Sequence, residues 1–206
     1  MRSLTFIYLL FSITNNAFGE KYLFYLHGKI VEDQGANAVS PDYGAYKYEA
    51  ILDTFRKADF KVMSEIRKPN TDVKEYAHKI AYQIDNLLKS GVKAKDITVI
   101  GASKGAVIAM YISTFLRNAD VNFVFMAGCS DGISESNSDI FFYGNILSIY
   151  EKSDAIGRSC MKIRNRSAIT HFKEIEINTG LQHGFLFQPL PEWVKPAITW
   201  ARGNYK

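Results

Sequence analysis

The sequence predicts an α/β protein, a three-layer α/β/α sandwich built around a mostly parallel sheet of about six strands. Strand-length apolar runs alternate along the chain with segments of helical periodicity, a pattern typical of a parallel sheet covered by helices on both faces. The apolar runs are also nearly continuous, as in Asn122–Met126, which is expected of strands that are buried on both sides. The 206 residues correspond to about one domain.

The strands are predicted from short runs rich in aromatic and aliphatic residues. In chain order they are Lys21–Leu26, Phe60–Glu65, Ile97–Ile100, Val121–Ala127, Ile146–Tyr150 and Phe172–Ile177. In sheets of this kind, ligands bind beyond the carboxyl ends of the strands. We therefore expect the functional residues in the loops that follow each strand.

The helices are predicted from apolar residues that recur on one helical face. They are Ala45–Lys57, Val73–Lys89, Gly105–Arg117 and Pro191–Ala201. The second is the clearest, because its apolar stripe runs through Tyr76, Ile80 and Ile84 and Gly91 provides a C-terminal stop. The last helix has Pro191 at its first turn, where proline is favoured.

A Gly-x-Ser-x-Gly motif, Gly101–Gly105, joins the predicted strand Ile97–Ile100 to the next helix. Between a strand and a helix, this motif indicates a nucleophile elbow, a sharp turn that presents the serine hydroxyl at the edge of the sheet. The N-terminus of the following helix offers free N–H groups and the positive end of its dipole to a developing oxyanion. Ser103 is therefore the candidate nucleophile.

Two later loops carry the residues that a serine nucleophile needs. A hydroxyl of ordinary pKa requires a base within hydrogen-bond reach, and the base requires a partner that fixes its tautomer. Asp154 follows the strand Ile146–Tyr150, and His183 follows the last strand, which gives the chain order Ser, Asp, His. Asp131, in the loop one strand earlier, is the alternative acid.

With these residues the chain resembles the α/β-hydrolase superfamily, in particular small serine esterases and lipases with a minimal or absent lid. The resemblance rests on Gly101–Gly105, on His27-Gly28 after the first strand, on Asp154, and on His183-Gly184-Phe185. It covers nearly all of residues 21–206. The chain departs from the usual pattern because it lacks the leading antiparallel hairpin.

The resemblance assigns a role to each site residue. It implies that Ser103, Asp154 and His183 are catalytic, and that the backbone N–H groups of Lys29 and Lys104 form an oxyanion hole. It implies no metal and no organic cofactor. These lysines, together with Arg158, also suggest a mildly electropositive mouth. The stretch Ile140–Tyr143 is interpreted either as an acyl pocket or as part of the core.

Residues 1–19 are predicted to be a secretory signal peptide, which leaves a hydrolase domain at residues 20–206. Arg2 precedes the apolar run Leu4–Ile13, and the small-x-small sequence Ala17-Phe18-Gly19 follows. The run is about ten residues long, too short to span a bilayer. We therefore expect a secreted or periplasmic protein without stable membrane insertion. The alternative is that the run forms a buried first strand.

The two cysteines, Cys129 and Cys160, predict one disulfide, since an even count is typical of disulfide pairing in exported chains. Two free, buried thiols are the alternative. No Cys-x-x-Cys pair or His/Cys cluster has the spacing of metal ligands.

Composition excludes several other classes of function. The net charge of +4 is modest, and the chain has neither a dense Lys/Arg block nor a glycine-rich phosphate loop, so nucleic acids and nucleotides are poor candidates as ligands. We expect an exported serine hydrolase that cleaves small-molecule carboxylic esters through an acyl-enzyme on Ser103. Thioesters and amides remain open as substrates. The alternative class is a non-catalytic binding or scaffold protein on the same fold.

Overall fold

The computed structural model describes residues 19–167, 169 and 171–206. The predicted signal peptide therefore lies outside the described residues, except for Gly19. Six strands form one sheet: β1 (Lys21–Leu26), β4 (Phe60–Met63), β5 (Ile97–Ala102), β6 (Asn122–Met126), β7 (Asn145–Glu151) and β8 (Phe172–Ile177). All six are parallel, in the order β4-β1-β5-β6-β7-β8.

Seven helices and one small hairpin complete the part of the chain that the structure describes. The helices are α1 (Lys29–Gln34), α2 (Tyr48–Arg56), α3 (Val73–Lys89), α4 (Lys104–Leu116), α5 (Asp131–Ser136), α6 (Met161–Asn165) and α7 (Pro191–Ala201). The hairpin pairs β2 (Val39–Ser40) with β3 (Gly44–Ala45), and 3-10 turns cover Ala94–Asp96 and Gln182–Phe187. The predicted α/β sandwich with a six-stranded sheet is confirmed.

The predicted and observed boundaries differ where local pairing overrides the helical pattern. The helix predicted at Ala45–Lys57 begins only at Tyr48, because Gly44 and Ala45 pair with the strand before them. The strand predicted at Phe60–Glu65 ends at Met63. The helix α3 has the predicted bounds, and it is capped by the Asp72 carboxylate, which accepts from two first-turn amides.

The sheet is buried on both faces. Successive strand residues alternate between two apolar clusters: Leu23 and Tyr25 of β1 belong to the cluster under α2 and α7, and Phe24 and Leu26 belong to the cluster under α3 and α4. The second cluster also contains Ile140 and the fully buried Phe142. Ile140 and Phe142 therefore belong to the core, whereas Phe141 between them is exposed.

The carboxyl ends of all six strands meet at one edge, and the helices α1, α4 and α5 and the 3-10 turn Gln182–Phe187 begin there. Within the described residues, no helix is both long and apolar enough to cross a membrane.

Candidate active site

Ser103 lies at a strained turn between β5 and α4. Its backbone has φ 53° and ψ −119°, a conformation that side-chain-bearing residues rarely adopt and that is characteristic of functional sites. The flanking glycines make the turn possible, since a Cβ on Gly105 would overlap the Leu26 carbonyl and one on Gly101 would overlap the start of α4. The Ser103 amide donates to the Met126 carbonyl at 2.9 Å, which ties the turn to β6.

Ser103, His183 and Asp154 form a continuous chain of hydrogen bonds. The Ser103 hydroxyl oxygen lies 3.0 Å from His183 Nε2, and His183 Nδ1 lies 2.7 Å from Asp154 Oδ2. Because the carboxylate can only accept, His183 carries its proton on Nδ1, and its Nε2 lone pair faces the serine hydroxyl. The arrangement has the donors and acceptors that deprotonation of Ser103 requires.

Asp154 is fully buried, whereas the alternative acid Asp131 is not part of this cluster. Burial raises the pKa of Asp154, but the hydrogen bonds from His183 and from the Ile156 amide outweigh it and hold the pKa below its usual range. Asp131 is exposed and pairs with Lys162 at 2.7 Å. The structure therefore brings Asp154, and not Asp131, to His183.

Glu151, which the sequence places three residues before Asp154, supports the site in a way that the sequence did not reveal. Its buried carboxylate accepts from the Ser153 amide at 2.6 Å and from the Thr179 and Gly180 amides at 2.9 and 3.0 Å. Burial raises its pKa, but these donors lower it overall. Glu151 thereby joins the turn that carries Asp154 to the segment that leads to His183. Its position directly after the predicted strand Ile146–Tyr150, where it is the last residue of β7, was the available signal.

A disulfide between Cys129 and Cys160 holds the far side of the acid loop. Next to it, the Arg158 amide donates to the Cys129 carbonyl at 2.7 Å. Gly157 lies directly against Ala127, with no room for a Cβ. The predicted pairing is thus present, and it fixes the end of the Asp154 loop to the segment after β6.

The two predicted oxyanion donors lie at the starts of two helices. Lys29 and Lys104 are the first residues of α1 and α4, and the first amides of a helix have no intrahelical acceptor. The turn before α1 also passes close to the elbow, since a Cβ on Gly28 would lie 3.6 Å from Ser103 Cβ. The starts of both helices therefore lie beside Ser103, and the role of the two amides as oxyanion donors stays a prediction.

The side chains of these lysines differ sharply. Lys29 is exposed and pairs with Asp33 at 2.7 Å. Lys104 reaches Glu32 at 2.6 Å, and the Glu32 side chain has no solvent exposure. Since both ammonium groups are paired with carboxylates, the expected electropositive mouth is reduced to the exposed Arg158.

Glu32 and Arg67 form a buried ion pair beneath this part of the site, and the sequence did not reveal it. Arg67 Nε lies 3.0 Å from Glu32 Oε2, and neither side chain is exposed. The Arg67 guanidinium also donates to the carbonyl of His27, and its amide donates to His27 Nε2 at 3.0 Å. His27 therefore supports the turn before α1 and does not face Ser103.

A cavity of about 530 Å³ opens beside Ser103 and runs along α4. Its wall is largely apolar, with Val73, Val107, Ile133 and Ile156, and the buried Tyr111 lies at the end away from Ser103. A second cavity, of about 690 Å³, lies on the other side of the His183 turn, between that turn and the β2–β3 hairpin. Among the described residues, no group of three His, Cys, Asp or Glu side chains is arranged to hold a metal ion.

The parallel sheet, the elbow and the order of the site residues define an α/β hydrolase. A family model described as phospholipase/carboxylesterase matches residues 58–178, which is more than half of the chain. The chain therefore belongs to the phospholipase/carboxylesterase family of this superfamily. No curated protein gives a significant sequence match.

Solved structures with the same fold include several hydrolases. The Arabidopsis thaliana SOBER1 structure superposes with a TM-score of 0.58 at 12% identity, covering 91% of this chain and 100% of that one. A predicted CIB-like hydrolase from Thermoplasma acidophilum gives 0.55 at 15%, covering 89% and 86%. YbtT, the type II thioesterase of the yersiniabactin pathway, gives 0.51 at 12%, covering 91% and 96%. At these identities the likeness shows the fold.

Proposed function

We propose that this protein is an exported serine hydrolase that cleaves carboxylic esters through an acyl-enzyme on Ser103. The observation that carries the proposal is the unbroken hydrogen-bond chain from the Ser103 hydroxyl through His183 to the buried Asp154. It occurs at a strained elbow in a chain of the phospholipase/carboxylesterase family. A merely structural serine would not require this conformation.

The chemistry follows from the geometry. His183 Nε2 takes the proton of Ser103 as its oxygen attacks the ester carbonyl, and Asp154 stabilises the imidazolium that forms. The amides of Lys29 and Lys104 donate to the oxyanion of the tetrahedral intermediate. When the intermediate collapses, the carbon–oxygen bond to the alcohol breaks and His183 returns the proton to the leaving oxygen. Water then repeats the sequence and releases the acid.

The cavity along α4 supports an unbranched, medium-length acyl group as the substrate class. Val107 and Tyr111 follow Ser103 at intervals of one helical turn, and eight residues at about 1.5 Å each span about 12 Å. A zigzag chain of roughly 1.5 Å bonds advances about 1.3 Å per methylene, so about nine carbons fill that length. At the far end, the Tyr111 hydroxyl lies 2.8 Å from Asn137 Oδ1 and 2.9 Å from Asp139 Oδ1, which places polar groups where a longer chain would extend.

Export is supported by the leader-like residues 1–19 and by the Cys129–Cys160 disulfide, since disulfides persist in oxidising compartments. Fractionation of the native host cells, followed by mass measurement of the protein, tests this part. We expect a non-cytoplasmic protein that begins at Glu20. Recovery of the intact chain from the cytoplasm would contradict it.

Hydrolysis of p-nitrophenyl esters with acyl chains from two to sixteen carbons tests the function and the substrate class together. We expect kcat/KM to be highest near eight to ten carbons, and Ser103→Ala to lower it by about 10⁴–10⁶-fold. Ser90→Ala, which alters an exposed serine after α3, is the matched control and should retain full activity. A thioester of the best acyl chain, assayed in parallel, separates the two leaving groups.

The same assay can contradict the proposal. Activity of Ser103→Ala within tenfold of wild type would exclude the serine mechanism. A folded wild-type protein without hydrolysis of any ester or thioester would instead favour the non-catalytic binding protein.

A further inference from the structure

We propose that the Lys104 side chain is a positioning residue for the oxyanion site: its ion pair with Glu32 holds the starts of α1 and α4 in the relative position at which both amides meet one oxygen. The inference rests on the proposed function, because it concerns the same oxyanion donors. It assigns a role to a side chain that touches neither the nucleophile nor the general base.

The Lys104 ammonium joins three separate segments of the chain. Its Nζ lies 2.6 Å from Glu32 Oε1 on α1 and donates to the Thr71 carbonyl at 2.7 Å, in the segment between β4 and α3. Lys104 itself begins α4. The Lys104–Glu32 pair therefore directly connects the two helices whose first amides are the predicted oxyanion donors.

Glu32 is held rigidly enough to serve as the anchor of this connection. Its second carboxylate oxygen accepts from Arg67 Nε at 3.0 Å, and its first also accepts from the Thr71 amide at 3.2 Å. Arg67 in turn binds the carbonyl of His27, one residue before the glycine of the oxyanion turn. The fully buried Glu32 carboxylate is thus linked, through Arg67, to the turn before α1.

A side chain that does not touch the substrate can change kcat here, because the oxyanion donors must be placed accurately. An oxyanion donor is effective only about 2.7–3.1 Å from the developing charge, and displacement by about 1 Å can cost about 100-fold. The two donors belong to different βα units, so a bond within either unit cannot set the distance between them. The Lys104–Glu32 pair restrains this distance. The pair is mostly buried, since the Lys104 side chain is 19% exposed and the Glu32 side chain has no exposure.

Lys21 provides a matched control. It also pairs with a carboxylate at 2.7 Å, that of Asp96, and its side chain is 30% exposed. It lies at the start of β1, the end of the strand opposite to the site. Lys21→Met therefore removes a comparable lysine–carboxylate pair without touching the oxyanion segments.

The experiment compares Lys104→Met, Lys104→Gln, Lys104→Arg and Lys21→Met in the full chain. Each is assayed for kcat and KM with the best p-nitrophenyl ester, for Ki of a trifluoromethyl ketone with the same acyl chain, and for thermal unfolding. This ketone forms a tetrahedral adduct, so its binding depends on the oxyanion donors in the way that the transition state does.

We expect Lys104→Met and Lys104→Gln to lower kcat by about 10- to 100-fold with KM within about twofold of wild type. The Ki of the ketone should rise by the same factor as kcat falls. Lys104→Arg, which keeps the cation and its donors, should recover most of the loss, and Lys21→Met should behave as wild type. Two neutral replacements are included so that, if one of the variants fails to fold, the other can still be measured.

Three results would overturn the inference. These are a kcat within about twofold of wild type in a folded Lys104→Met or Lys104→Gln protein, a loss of kcat with no change in the Ki of the ketone, or an equal loss in Lys21→Met. Ser103→Ala separates this failure from failure of the proposed function. If Ser103→Ala is inactive while Lys104→Met is fully active, only the positioning role is wrong.

Discussion

The two sides of Ser103 are held in place by different kinds of bond. On the acid–base side, a disulfide and the Glu151 carboxylate fix the loops that carry Asp154 and His183. On the oxyanion side, buried ion pairs among Glu32, Arg67 and Lys104 connect three segments of the chain. The acid–base side is therefore held by a covalent bond and main-chain hydrogen bonds, and the oxyanion side by ion pairs.

This difference follows from what each side has to present. The acid–base side acts through side chains, whose hydrogen bonds to each other already select one geometry once the loops are near. The oxyanion side acts through main-chain amides, whose position depends entirely on how the surrounding backbone is held. We therefore expect the acid–base side to respond mainly to reductant and the oxyanion side mainly to changes of charge.

The largest effect expected on the acid–base side is that of Asp154→Asn. The change removes the carboxylate that fixes the proton on His183 Nδ1, and in a serine–histidine–aspartate arrangement such a replacement lowers kcat by about 10⁴-fold. The measurement is kcat for the best ester of the chain-length series. The fold should persist, because an amide keeps an oxygen that can accept from the Ile156 amide.

Asp131→Asn is the control for this prediction. Since Asp131 is exposed and pairs with the surface residue Lys162, its replacement should leave kcat unchanged. A dead Asp131→Asn protein together with an active Asp154→Asn protein would reverse the assignment of the acid.

Reduction of the Cys129–Cys160 disulfide tests how far the covalent link sustains the acid–base side. Opening a loop of 31 residues should lower the free energy of unfolding by about 3–4 kcal/mol. Activity should fall by several-fold before the protein unfolds, because the link restrains the Asp154 loop. Activity and tryptophan fluorescence measured along a dithiothreitol titration report the two events separately.

The corresponding control is the Cys129→Ala/Cys160→Ala protein, which should resemble the reduced protein and ignore dithiothreitol. Full activity in a reduced, folded wild-type protein would show that the main-chain contacts alone hold the loop.

His27 makes the oxyanion side sensitive to acid. Burial, together with the charge of Arg67, lowers its pKa from 6.5 to about 4. Between pH 6.5 and 4, His27 binds a proton in the unfolded chain but not in the folded protein. Its contribution to the free energy of unfolding is therefore fully present above pH 6.5 and is lost as the pH falls towards 4. This single group accounts for about 3 kcal/mol of that loss. Protonation would also break the hydrogen bond that His27 Nε2 accepts from the Arg67 amide.

Urea denaturation at pH values from 7 to 4 measures this dependence. His27→Gln keeps an acceptor for the Arg67 amide but has no proton to gain, so its stability should decline less than that of wild type over this range. An identical pH dependence in the two proteins would contradict the role of His27.

Elements whose apolar period repeats within their length could be predicted from the sequence, and a strand, with a period of two, needs fewer residues for this than a helix. β1, β8, α3 and α7 have the predicted bounds. By contrast, α1, α5 and α6 contain only five or six residues, too few for a helical period to repeat.

The candidate site shows the same division. Ser103, Asp154 and His183 could be predicted, because their chemistry and chain order are visible in the sequence, and the structure brings them together; their catalytic roles stay predictions. Glu32 and Arg67 could not be predicted. A glutamate and an arginine in short polar segments are typical of a surface, and their burial arises only from pairing across segments that are 35 residues apart.

Labelling with a fluorophosphonate tests the central claim most directly, since this reagent reacts with an activated serine and not with ordinary hydroxyls. The wild-type protein is treated, digested and analysed by mass spectrometry, with Ser103→Ala treated in the same way. We expect one covalent adduct, on the peptide that contains Ser103, and none in the variant. A folded wild-type protein that remains unlabelled, or an adduct of equal yield in Ser103→Ala, would contradict the assignment of Ser103 as the nucleophile.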